Sequence, residues 1–126
     1  MDGLFRLYFF VIVVQMAKHH HLGTFELAVM LALMRLGDSA YGIPISREIE
    51  ERGGRGVTLG SIYATLERLK TKGLVYSEIG EPTPERGGRA KKYFRVTETG
   101  LREVRETQRV LKRLWQGLRE LEGSRA

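Results

Sequence analysis

A chain of 126 residues is long enough for one domain with a modest core and too short for two substantial ones. With no cysteine it can form neither a disulfide, a thiolate metal site nor a cysteine nucleophile, which fits a reducing cytoplasm. Its 21 lysines and arginines outnumber 15 acids, a net charge of +6, and that excess points to nucleic acid or another anionic partner while saying nothing about fold.

Residues 1–21 read as a leader distinct from the rest. The apolar run from Leu7 to Val14 falls far short of the roughly 20 residues that span a bilayer, so no membrane span is expected. Asp2 offsets Arg6, which argues against a signal peptide with a positive start. Met16, followed by Ala17 and Lys18, offers an alternative start that would leave residues 1–15 as an over-called extension. If translated, this β-branched and aromatic run needs a covering partner to avoid aggregation. Consecutive His19, His20 and His21 splay to different sides of a helix or strand, so no metal site is expected there.

From Leu22 to Leu36 the apolar positions cover nearly every side of a helix, which predicts burial all round, until Gly37 stops it. A second helix is predicted in "YGIPISREIEERGG", with Pro44 tolerated in its first turn and Gly53 and Gly54 closing it. Thr58 then serves as N-cap for a third helix, "TLGSIYATLERLKTKG", in which Leu59, Ile62, Leu66 and Leu69 share one face. At about 100° per residue the opposite face carries Ser61, Ala64, Arg68 and Thr71, flanked by Thr65 and Lys72.

"LVYSEIG" and "KKYFRVT" read as two strands of a hairpin around the loop "EPTPERGGRA". Thr97 opens a last helix running to about Glu122, roughly 39 Å at 1.5 Å per residue. The fold class is therefore mainly α with a small β-hairpin: three helices and the hairpin over residues 22–100, then a long C-terminal helix over 101–126.

A helix with a small, polar outer face fits the DNA major groove, about 12 Å wide. Ser61 and Thr65 would let the backbone come close, Arg68 would reach a phosphate or base edge, and Thr58 with the amides at the helix start would hold a phosphate oxygen. In the hairpin, Arg86, Arg89, Lys91, Lys92 and Arg95 fall together with no acid among them, and Gly87 and Gly88 remove bulk at the tip. Arginines suit a narrow minor groove, lysines the backbone phosphates. The plainer alternatives are a solvated amphipathic helix and a charged loop that only aids solubility. Two other functions also fit so basic a surface: a module that meets an acidic protein, and an RNA-binding module, although "RGG" occurs here once. The glycines of "GRGVTLG" have the wrong spacing for a dinucleotide loop, and neither a Walker motif nor "HExxH" is present. No enzyme and no cofactor are expected.

In the last helix Leu101, Val104, Gln108, Leu111, Trp115 and Leu118 follow a three-then-four spacing, widened by Leu114 and Leu121. One small core can hardly cover so long a helix, so a homodimer is expected in which this helix packs on the partner; folding back on its own domain is the alternative. Trp115 reads either as an aromatic lid on a small-molecule pocket or as simple packing.

Separated blocks of the chain, "LG.FE", "AYG", "LGSIYATLERL.KGLV" and "RGGRAKKYF.VT.TG", resemble the winged helix-turn-helix of the PadR family of transcriptional regulators, from about Leu22 to Gly100. The resemblance implies a cytoplasmic, homodimeric repressor on double-stranded DNA, with the third helix in the major groove, the wing at the minor groove and the C-terminal helix as dimerisation arm. It implies that Tyr41, Ser61 and Tyr63 contact DNA backbone or bases, and that Arg86, Arg89, Lys91 and Lys92 belong to the wing. Some relatives sense phenolic acids or hydrophobic drugs, so a small hydrophobic or aromatic effector is implied, with nothing here fixing its identity. Pro44 stands where a more ordinary helix former is expected, and residues 1–15 have no counterpart.

Overall fold

The computed structural model of the chain describes residues 3, 4, 6, 7, 22–82 and 90–122. The Met16 start, the three histidines and the tip arginines Arg86 and Arg89 lie outside them. In chain order come α1 (Thr24–Leu36), a 3₁₀ turn (Gly37–Ser39), α2 (Gly42–Gly53), α3 (Leu59–Thr71), strands β1 (Val75–Pro82) and β2 (Ala90–Val96), α4 (Glu98–Trp115) and a short α5 (Arg119–Glu122).

Helices α1, α3 and α4 start where the sequence supplies a side-chain partner for a backbone amide at the helix start. Glu26 reaches back to accept from the Gly23 amide at 3.2 Å, half of a capping box. Thr58 Oγ1 accepts from the Ser61 amide at 3.1 Å, and Thr97 Oγ1 from the Gly100 amide at 2.9 Å. Pro44 sits in the first turn of α2, where its missing N–H costs nothing.

Val29, Met30 and Leu33 of α1, Ile45 and Ile49 of α2, Ile62, Leu66 and Leu69 of α3, Leu74 and Val75 beside the hairpin, Phe94 of β2 and Val104 of α4 form one buried cluster. The first helix is not buried all round, however: Leu31 and Met34 are exposed.

The hairpin is antiparallel, with Val75 opposite Val96 and Ser77 opposite Phe94, and the pairing becomes irregular between Ile79 and Pro82. It is pinned at its base. The Phe94 amide donates to the Ala40 carbonyl at 2.9 Å and the Thr97 amide to the Leu74 carbonyl at 3.0 Å. These bonds hold the wing against the turn that leads into α2 and beside α3.

The last helix departs from the expected single rod. It stops at Trp115, Gln116 turns extended, and Gly117 takes a φ of +83° before α5 begins. Glycine alone adopts that backbone region at little cost, so the apolar period reads through a break that the backbone does not.

Candidate nucleic-acid interface

The outer face of α3 is fixed by which residues its inner face buries. Ile62, Leu66 and Leu69 go inward as expected, but the fourth inward residue is Thr65, 1% exposed, and Leu59 turns outward. Thr65 was expected to face DNA; it is instead covered by its own neighbour, Arg68 Nη2 donating to Thr65 Oγ1 at 3.1 Å. A threonine looks polar in sequence, yet its methyl and a satisfied hydroxyl let it close a core edge. The exposed strip is therefore rotated towards Gly60, Ala64, Glu67 and Thr71, with Ser61 and Arg68 on one flank and Tyr63 on the other. Glu67, central to that strip, was not anticipated; the signal was the same helical period, centred one residue differently.

At the start of α3 the two hydroxyls are already engaged. Ser61 Oγ donates to the Thr58 carbonyl at 3.3 Å and lies within hydrogen-bond distance of Thr58 Oγ1. They set the first turn at the surface and remain exposed there. Tyr63 packs its ring 6.4 Å from that of Phe94, which ties the flank of α3 to β2.

Among the described wing cations, Lys91, Lys92 and Arg95 each have a partner. Lys91 Nζ lies 4.6 Å from the centre of the Tyr41 ring and 3.5 Å from its hydroxyl, and Tyr41 meets Tyr93 edge-on at 5.5 Å. Lys92 Nζ lies 3.6 Å from Glu67 Oε1, bridging β2 to α3. Arg95 pairs with Asp38 of the 3₁₀ turn. Tyr41, Ser61, Tyr63, Arg68, Lys91 and Lys92 thus lie on adjoining elements, α3, β2 and the N-cap of α2.

At the far end of α3, Lys72 Nζ donates to Glu26 Oε2 at 3.0 Å. Burial by itself would push the Glu26 carboxyl up; bonds from Lys72 and the Gly23 amide, with the charges of Lys72 and Arg68, outweigh it and hold the group below its ordinary 4.5. The pair fixes the C-terminal end of α3 to the start of α1.

The sequence and the fold match known proteins. Residues 30–106 match the Transcriptional regulator PadR-like family. This chain belongs to the PadR-like family. It is similar to a PadR-like transcription factor from Bacteroides fragilis, at 30% identity over 82% of this chain and 90% of that one, with a TM-score of 0.63. A PadR family transcriptional regulator from Eggerthella lenta DSM 2243 is 29% identical over 94% of this chain and 98% of its own, with a TM-score of 0.62. No curated protein matches. Family membership makes DNA-binding transcriptional regulation the function at a coarse level, and the family is one of regulators, not of enzymes.

The residues expected to dimerise divide in two. Val104, 6% exposed, packs in its own protomer's core, and this corrects its placement on the partner-facing stripe. The cause is that α4 lies against α1: the neighbouring Thr107 is buried as well, its Oγ1 within 3.4 Å of the Leu22 amide. Leu101 and Leu111 are half-buried, whereas Leu114 (66% exposed), Trp115 (57%), Leu118 and Leu121 are uncovered. An open depression of about 430 Å³ is lined by Lys112, Trp115, Gln116 and Leu121. Among the described residues no helix is long and apolar enough to cross a membrane, and no cluster of His, Cys, Asp or Glu could hold a metal ion.

Proposed function

We propose that the chain is a cytoplasmic, homodimeric repressor that reads double-stranded DNA with α3 in the major groove and its wing at the minor groove. The observation that carries this reading is the outer strip of α3, small along its midline at Gly60 and Ala64 and flanked by Ser61, Arg68 and Tyr63, beside a strand that carries Lys91 and Lys92. Small residues allow the backbone to approach base edges, and cations at the flanks meet phosphates. Tyr41 and Thr58 fit backbone-positioning contacts, and Arg86 with Arg89 would enter the minor groove. Thr65 has no such role.

In this reading the C-terminal arm makes the dimer. Leu114, Trp115, Leu118 and Leu121 leave an apolar face open to water, and covering such a face drives association at about 25 cal/mol per Å². A second protomer laid over the arm would roof the depression beside Trp115, which becomes the seat of a hydrophobic or aromatic effector whose binding releases DNA.

The test is Arg86→Ala with Arg89→Ala, measured on a duplex from upstream of the gene at low salt. DNA affinity should fall while sedimentation still gives a dimer; unchanged affinity would remove the wing from the mechanism. Retention of one protein partner after nuclease treatment would favour the interaction-module alternative instead.

A further inference from the structure

The midline of the α3 outer strip carries one acid. Turning away from Ile62, Leu66 and Leu69 at about 100° per residue leads to Gly60, Ala64, Glu67 and Thr71. Gly60 and Ala64 project almost nothing, so Glu67 is the first long side chain that an approaching groove would meet, with Arg68 and Tyr63 beside it. Its side chain is 57% exposed and its negative charge repels phosphate, in a chain whose net charge is +6.

Lys92 Nζ faces this carboxylate from β2 at 3.6 Å and also lies 5.6 Å from the centre of the Phe94 ring. Both partners are solvent-exposed, so the pair adds little to stability and exchanges readily. It masks the acid in the free protein and can let it go.

A carboxylate can only accept hydrogen bonds. Among base edges in the major groove, cytosine offers its N4 amino group as a donor, whereas adenine sets the acceptor N7 beside its N6 donor and repels a second carboxylate oxygen. We propose, building on the reading of α3 as the major-groove helix, that Glu67 accepts a hydrogen bond from the N4 amino group of a cytosine. It thereby selects a C·G pair at one position of each half-site, and Lys92 moves from Glu67 to a backbone phosphate as the contact forms. On a non-matching site the carboxylate meets either acceptors alone or an adenine N6 donor with the N7 acceptor beside it, so the penalty falls on wrong sequences.

The test is selection of duplexes from a randomised pool by the wild-type protein and by Glu67→Gln, an exposed and nearly isosteric change. Wild type should select a C·G pair at one fixed position. In Glu67→Gln that position alone should shift to A·T, since a carboxamide pairs with adenine N6 and N7, or lose its preference. On the wild-type consensus, relative to a scrambled duplex, the variant should bind about tenfold less well. The same consensus from both proteins, with the variant tighter on every duplex, would overturn the inference and leave Glu67 as a general repulsive charge. No consensus from wild type would overturn the DNA reading itself, and this inference with it. Lys92→Met should keep the C·G preference while the log–log salt slope falls by about one; an unchanged slope would overturn the transfer of Lys92 to phosphate.

Discussion

At Gly100 a methyl group would stand 2.1 Å from the Leu74 carbonyl oxygen and 3.0 Å from Met30 Cε, so α4 comes this close to the root of the hairpin only because the residue has no side chain. Gly100→Ala must push helix and strand apart. It should destabilise the domain by about 2 kcal/mol, with a fall in Tm of several degrees in calorimetry. Glu26 makes a second local test. Its carboxyl is held below 4.5 in the folded protein, so its contribution is full above that pH and is lost as pH falls through the depressed folded value. Glu26→Gln should cost about 1 kcal/mol in denaturant unfolding near neutrality, and the difference from wild type should disappear on acidification. The caps at Thr58 and Thr97 were legible in the sequence because a cap is a local motif. The inward turn of Thr65 was not, because the rotation of α3 about its axis is decided by α1, α2 and Phe94, distant in sequence, and by a hydroxyl that finds its partner in Arg68.

The same division between local and distant causes holds for whole elements. Helix order and the hairpin follow from period and turn residues, and the observed spans agree with those expectations to within a residue or two. The C-terminal helix does not, because its apolar period runs on past Trp115 while Gly117 turns the backbone. Burial also divides the helix, with Val104 inside the protomer and Leu114 and Trp115 exposed. Val104→Ala should open a cavity in the protomer core and cost about 2 kcal/mol of thermal stability. Leu114→Ala with Leu118→Ala, both in the exposed part of the arm, should shift sedimentation equilibrium towards monomer while the helical signal in circular dichroism persists. If the arm variants stay dimeric, the association surface lies elsewhere, and the exposed Leu31 and Met34 of α1 become the next residues to test.

At the scale of the whole molecule, three of the described cations pair with acids on other elements. Lys92, Lys72 and Arg95 each bridge two separate elements through an acid, Glu67, Glu26 and Asp38, so some of the cations beside α3 and β2 are already paired in the free protein. The basic composition and the blocks shared with the PadR family were visible in the sequence; that Lys72, Lys92 and Arg95 were already paired with acids was not, since these three pairs join residues far apart in the chain. The central claim, sequence-specific DNA binding, is tested most directly by fluorescence anisotropy of the protein on a duplex from upstream of its own gene, beside a scrambled duplex, across a salt series. Binding to the upstream duplex that survives salt sufficient to remove the scrambled one is the predicted result. Equal affinity for both duplexes, falling together and steeply with salt, would contradict it and leave only a basic surface.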